Sequence, residues 1–118
     1  MKKEPVVINI VNVVGDEYCV EAEEGEKVFK LIQRSLNEKK YVKVSFLNIK
    51  LLTTAFLNSA MGQLYRDFSE ETIRQYLSVE NLSDSFAVSL KRVVETAKLY
   101  YKDPEALRNS INEILGEE

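Results

Sequence analysis

The sequence predicts one small α/β domain, built on a mixed sheet with a largely parallel portion and with helices mainly on one face. Its length of 118 residues suits a single domain that spans residues 1–118. Strand-like segments alternate with helix-like ones, as in right-handed crossovers between parallel strands. The strand-like segments also carry polar residues at intervals, which favours a sheet with one partly open face.

The N-terminal third predicts a strand, a short strand and a helix. The β-branched segment Val6–Val14 is typical of a mostly buried strand and is followed by the turn residues Gly15-Asp16. Tyr18–Val20 predicts a short strand in which Cys19 is a buried apolar residue and not a reactive thiol. From about residue 26 an apolar stripe at helical spacing appears at Val28, Leu31, Ile32 and Leu36.

The middle of the chain predicts a strand, a tight connection and a helix. Tyr41–Ile49 alternates apolar and polar residues over its first half, as a strand does. A helix from about Thr54 to Asp67 follows, with a wide apolar face. This face consists of two neighbouring rows: Phe56, Ala60 and Leu64 in one, and Leu57, Met61 and Phe68 in the other.

The last part predicts a short helix, a strand and two further helices. Ser69 caps the short helix, and Tyr76–Asn81 alternates as a third main strand. The helix that follows Ser83 presents the apolar residues Phe86, Leu90, Val93, Val94, Ala97 and Tyr101. Asp103-Pro104 then predicts the start of a C-terminal amphipathic helix over about 104–115.

The composition argues for a cytoplasmic binding protein rather than an enzyme. The chain has no histidine and one cysteine, which excludes imidazole metal sites and nucleophiles activated by histidine. A net charge of −3 with interspersed signs disfavours nucleic-acid binding. No apolar run approaches the roughly 20 residues of a membrane span. We therefore expect no metal, no cofactor, no nucleic acid and no membrane partner.

The hydroxyl pair Thr53-Thr54 lies at the junction between the central strand segment and the helix. Thr53 is predicted as the N-cap, and Thr54 as the first helical residue with its side chain near solvent. One interpretation is that both threonines serve the helix start alone. The other is that the junction is a docking or phosphorylation site, since a phosphate is tolerated beside a positive helix end. A nucleotide phosphate has little support, because no glycine-rich loop is present.

The same stretch resembles a known family. The strand Val42–Phe46 leads to Thr53-Thr54, Phe56, the polar pair Asn58-Ser59 and Gly62. Residues 44–64 resemble the central strand, loop and helix of STAS domains, the fold of bacterial anti-sigma factor antagonists. They resemble still more closely the STAS-like family of small bacterial proteins and domains, and the resemblance extends over about the C-terminal two-thirds.

This resemblance implies a non-enzymatic module for partner switching. In the antagonists, a histidine-kinase-like ATPase acting as a serine kinase phosphorylates a serine in an Asp-Ser-Ser/Thr-Gly motif, and the complex then breaks. Thr54 matches that serine, while Thr53 stands at the aspartate and Phe56 at the glycine. The implied docking and phosphorylation residues are Thr53, Thr54, Phe56, Asn58 and Ser59.

Two other hypotheses compete with the signalling module. The first is an assembly subunit, such as a homodimer, without phosphoregulation, because an amphipathic helix over about 104–115 is able to dock on a neighbour. The second is a carboxylate-based enzyme that uses acidic residues such as Asp16 and Glu17 or the group Glu21, Glu23 and Glu24. Each acidic group also suits a turn or a helix N-terminus, so this hypothesis is the weakest of the three.

Overall fold

The strands within residues 4–102 form two parallel sheets. A computed structural model describes residues 4–102. A three-stranded sheet has the order β1-β3-β5, and a two-stranded sheet joins β2 and β4. Every strand pairing in the described part is parallel, which confirms the predicted α/β class. The strands are β1 (Val6–Asn9), β2 (Tyr18–Cys19), β3 (Val42–Ser45), β4 (Leu51–Leu52) and β5 (Leu77–Glu80).

Helices fill most of the connections between these strands. None of the helices within residues 4–102 is long and apolar enough to cross a membrane. The α-helices are α1 (Ile10–Val14), α2 (Ala22–Asn37), α3 (Thr54–Leu57), α4 (Leu64–Asp67), α5 (Glu70–Tyr76) and α6 (Asp84–Lys102), and a π-helical segment (Asn58–Gly62) lies between α3 and α4.

The register of the main sheet separates a covered face from an open one. Apolar residues align across the three strands on the covered face, in the rows Val6–Val42–Leu77 and Ile8–Val44–Val79. Apart from the exposed Val7, the opposite face carries polar side chains, and there Lys43 Nζ lies 3.3 Å from Glu80 Oε1. The helices therefore lie mainly on one face, as the alternation in the sequence predicts.

The core fills the space between the covered sheet face, α2 and the helical run after Thr53. Phe46, Phe56 and Ile32 are almost fully buried there. The predicted stripe of α2 is confirmed for Val28, Ile32 and Leu36, but Leu31 is 41% exposed. Phe29 is buried instead, because it lies on the helical stripe of the other buried residues while Leu31 lies off its edge.

The prediction of one strand over Val6–Val14 is wrong. Only Val6–Asn9 pairs with β3, and the chain then continues as helix α1. Gly15 ends this helix in the left-handed conformation (φ 79°) and donates its N–H to Val11 O at 2.9 Å. The physical reason is the length of the partner, since β3 spans four residues and offers nothing beyond Ser45 for a longer β1 to pair with.

The other predicted elements are present with changed bounds, and α2 starts at Ala22, earlier than predicted. The segment predicted as a strand over Tyr41–Ile49 is a strand over β3 only, and Leu51–Leu52 forms an unpredicted strand. Ser69 Oγ accepts the N–H of Thr72 at 3.1 Å and caps α5 as predicted. The strand β5 and the helix α6 are also confirmed. The predicted helix over about 104–115 lies outside the described residues.

Candidate functional site

The hydroxyl of Thr53 is fully engaged at the start of helix α3. Thr53 has extended backbone angles (φ −101°, ψ 159°), and its Oγ1 accepts the N–H of Phe56 at 3.1 Å. The same oxygen donates to Val20 O at 2.7 Å. Thr53 is therefore the predicted N-cap, and it also ties the helix start to the end of β2.

Thr54 is the first residue of α3, and its side chain is exposed. Within the described part of the chain, its hydroxyl forms no hydrogen bond. The two threonines therefore differ in kind, because one hydroxyl holds the fold and the other faces solvent. The Thr54 side chain is thus accessible from solvent with the helix cap intact.

The remaining predicted site residues divide between the core and the surface. Phe56 is fully buried, and Ser59 is 9% exposed and donates to Ala22 O at 2.7 Å. These two residues do not line a surface, because they lie three positions apart on the side of the helix that packs against α2. Asn58 is exposed and borders a hollow between this run and α6. The docking role of Thr54 and Asn58 stays a prediction.

Three apolar side chains beside Thr53 were missed in the sequence. Tyr18 and Leu51 are neighbours across the β2–β4 pairing and are 49% and 47% exposed. Val20, whose carbonyl accepts the Thr53 hydroxyl, is 38% exposed. We call Tyr18, Val20 and Leu51 the corner patch. Alternation around the buried Cys19 was a signal for its β2 half, but nothing local identified Leu51 as a strand residue.

Hydrogen bonds and close packing hold the π-helical segment against α2, next to the corner patch. Gln63 Nε2 donates to Glu26 Oε2 at 2.7 Å and to Ser59 O at 2.9 Å. Gly25 of α2 packs so closely that an added Cβ would lie 2.5 Å from Phe56 O. π-Helical turns often occur at functional sites. Here Ser59 of the segment hydrogen-bonds to α2, while Asn58 at its start is exposed, as is Thr54 one turn earlier.

The corner contains one titratable group with a strongly shifted pKa. Burial, followed by the charges of Glu24 and Asp16, raises the pKa of the Cys19 thiol to about 11. Cys19 is fully buried, so it is a structural residue, as the sequence predicts. Nearby, Lys50 Nζ lies 3.4 Å from Glu17 Oε1 at the rim of the corner patch.

Within residues 4–102, no group of three histidine, cysteine, aspartate or glutamate side chains is placed to hold a metal ion. The acidic residues around Glu21–Glu24 instead occupy the start of α2, where Glu21 is the N-cap residue and Glu23 and Glu24 lie in the first turn. Negative charge is favourable at this helix end. The position of these carboxylates thus has a structural explanation.

Comparison with known proteins gives one result that bears on the family. No curated protein and no solved structure matches the chain significantly. The family described as STAS-like domain of unknown function (DUF4325) matches residues 24–86, which is more than half of the chain. The match runs from the first turn of α2 into α6, and it includes the Thr53-Thr54 junction. The chain therefore belongs to this STAS-like family.

Proposed function

We propose that the protein is a non-enzymatic signalling module that binds a partner protein through the corner patch and is switched at Thr54. The observation that carries this proposal is that the two threonine hydroxyls have different environments. Thr53 is held by two hydrogen bonds, whereas the Thr54 hydroxyl is exposed directly beside it. A modification at Thr54 thus changes the surface while the helix cap remains intact.

The corner patch supplies the apolar part of such an interface. Tyrosine is enriched at protein interfaces because its ring combines a large contact area with a polar hydroxyl. Tyr18 and Leu51 lie side by side and half-exposed, and Val20 extends the surface towards Thr53. A partner that buries these three side chains also covers or borders Thr54.

Phosphorylation would act mainly on the partner and not on the fold. A phosphate adds up to about two negative charges at pH 7. At the start of α3 the helix end tolerates these charges, but an apolar interface formed over them would have to desolvate them. The expected result is release of the partner. The kinase that fits the family resemblance is a histidine-kinase-like ATPase that modifies serine or threonine.

The test is capture of partners from native lysate on the immobilised full chain. Wild type and Thr54→Ala are expected to capture the same protein, whereas Thr54→Glu and Leu51→Lys are expected to lose it. Ser85→Glu is the matched control, because Ser85 is exposed in the first turn of α6, another helix start. Undiminished capture by Thr54→Glu would refute the switch, and undiminished capture by Leu51→Lys would refute the corner patch as the interface.

Phosphorylation of Thr54 by the partner has a separate test. The captured partner is incubated with wild-type chain and ATP, and the modified residue is identified by mass spectrometry. We expect a phosphate on Thr54 and none on Thr53, because the Thr53 hydroxyl is already bonded on both sides. Modification of a distant residue in its place would remove Thr54 from the mechanism.

A second candidate function is that of an assembly subunit, here a homodimer. The edge strand β1 borders a groove of about 480 Å³ that α2 also lines. Val7 and Leu31 lie in it and are 54% and 41% exposed. An open strand edge of this kind is able to pair with a second copy. Light scattering of wild type and Val7→Lys decides the matter, since a monomer in both cases excludes this dimer.

A further inference from the structure

A second surface feature lies at the end of the main sheet remote from Thr54. The amino ends of β3 and β5 open into a cleft of about 730 Å³, a size within the range of roughly 300–1,000 Å³ typical of small-molecule sites. Because β3 and β5 are parallel, the cleft and the carboxyl ends that lead towards β4 and Thr53 lie at opposite ends of the sheet. The side chains that give the cleft its chemistry are Lys39, Tyr41, Lys43, Arg74, Tyr76 and Ser78.

The cleft concentrates positive charge in a chain whose net charge is −3. Lys39, Lys43 and Arg74 line it, and no carboxylate does so among the described residues. Lys43 and Arg74 have acidic neighbours, Glu80 at 3.3 Å and Glu70 at 4.0 Å, but neither carboxylate lies in the lining. For Lys39 the described part of the chain contains no ion-pair partner. The cleft therefore favours an anion.

Two tyrosines give the cleft an aromatic wall. The rings of Tyr41 and Tyr76 have centroids 5.1 Å apart and are tilted by 41°. Tyr41 is 45% exposed, so its ring remains accessible to a ligand. Planar rings stack on such side chains in offset or tilted arrangements. A ligand that combines a ring with an anion matches both features of the cleft.

Lys39 occupies its place at a conformational cost. Its φ of 56° is left-handed, the conformation in which glycine usually ends a helix. Lys39 N–H donates to Leu36 O at 3.0 Å, and Lys40 N–H donates to Ser35 O at 2.9 Å, which is the usual pattern of such a helix end. Glycine would fit this backbone better, yet the chain places a cation there, on the wall of the cleft.

We propose that this cleft binds a small aromatic phosphate. Lys39 and Arg74 contact the phosphate oxygens, for which charge-assisted hydrogen bonds are strong. The ring of the ligand stacks on Tyr41, and Ser78 offers a hydroxyl for a further hydrogen bond. Two sources supply this chemistry, a mononucleotide and free O-phosphotyrosine. The site is independent of the function proposed for Thr54, because the two share no residue.

The test is a ligand titration of the full chain at low salt, with binding monitored by amide NMR spectra. Phenyl phosphate carries both features, while inorganic phosphate and phenol carry one each. We expect saturable binding of phenyl phosphate with a Kd below about 1 mM, with the shifted amides at residues 39–43 and 74–78. Phosphate and phenol alone should bind at least about tenfold more weakly, which corresponds to one lost charged or stacking contact. AMP and O-phosphotyrosine then distinguish the two sources by which binds more tightly.

The decisive variant is Lys39→Gly. It relieves the left-handed backbone and so raises the thermal midpoint, yet it should weaken phenyl phosphate binding about tenfold. A loss of binding in a more stable protein cannot come from misfolding. Lys40→Ala is the matched control, because Lys40 is adjacent but lies outside the cleft lining, and it should bind as wild type does. Absence of saturable binding, or equal binding by Lys39→Gly, overturns the proposal.

Discussion

At the scale of single residues, Gly25 is a point of close approach between α2 and the helical run after Thr53. A Cβ at this position would lie 2.5 Å from Phe56 O and 2.8 Å from Ser59 Cβ. Backbone cannot move aside as a flexible side chain does, so Gly25→Ala must push the two helices apart. We expect a loss of about 1–3 kcal/mol in the free energy of unfolding, measured by urea denaturation.

Gly62 provides the control for this prediction. A Cβ there would lie 3.5–3.7 Å from its nearest neighbours, which is ordinary van der Waals contact. Gly62→Ala is expected to leave stability unchanged or to raise it by up to about 1 kcal/mol, because alanine favours helical backbone. Equal losses in the two variants would show that close approach at Gly25 is not the cause.

The two threonines of the junction should separate in the same measurement. Thr53→Ala removes both the cap bond to Phe56 N–H and the donor to Val20 O. The expected loss is about 1–2 kcal/mol. Thr54→Ala removes an exposed hydroxyl, so its effect should stay within about 0.5 kcal/mol. A larger loss at Thr54 than at Thr53 would contradict the assignment of their roles.

At the scale of elements, an ion pair links the first turn of α5 to the C-terminal half of α6. Lys98 of α6 hydrogen-bonds to Glu70 in the first turn of α5, and this bond, followed by the lysine charge, lowers the pKa of the Glu70 carboxyl. Since the folded pKa lies below the ordinary value of 4.5, the stabilising contribution is fully present above that value. It is lost as the pH falls through the lower folded pKa.

We expect Lys98→Ala to raise the pKa of Glu70 back towards its ordinary value. The measurement is a carboxyl ¹³C titration by NMR. Lys91→Ala is the control, since Lys91 is an exposed lysine of α6 that does not pair with Glu70. The change in overall stability should be small and salt-dependent, because both side chains are partly exposed. An unchanged Glu70 pKa would show that the contact is absent in solution.

At the scale of the whole molecule, Cys19 reports on opening of the core. Its side chain is fully buried, and its pKa is about 11, so the folded protein offers almost no accessible thiolate at neutral pH. We expect labelling by a thiol reagent to be slow in native buffer and to accelerate with urea. Gly25→Ala should label faster than Gly62→Ala, by about tenfold for each 1.4 kcal/mol of lost stability, because labelling follows the population of the open state. Fast labelling independent of urea would place Cys19 at the surface.

Several parts of the candidate site could be predicted because they depend on short stretches of chain. The caps at Thr53 and Ser69 require one hydroxyl and the N–H three residues later. The inward rows through Phe56 and Leu64 follow from helical spacing alone. Strand ends could not be predicted in this way, since Val6–Val14 has strand-like residues throughout but a partner for only its first four.

By itself, the sequence determined the α/β class, the order of the main elements and the place of Thr53-Thr54 at a helix start. Only the tertiary structure decided which surface surrounds these elements. Tyr18 pairs with Leu51, and Lys39 and Arg74 line the same cleft, although the residues of each pair are more than 30 positions apart. These arrangements depend on strand pairing, of β2 with β4 for the first and of β3 with β5 for the second. Local sequence patterns carry no information about the Tyr18–Leu51 pairing or about the cleft. Each is formed by parts of the chain that are distant in sequence and close only in space.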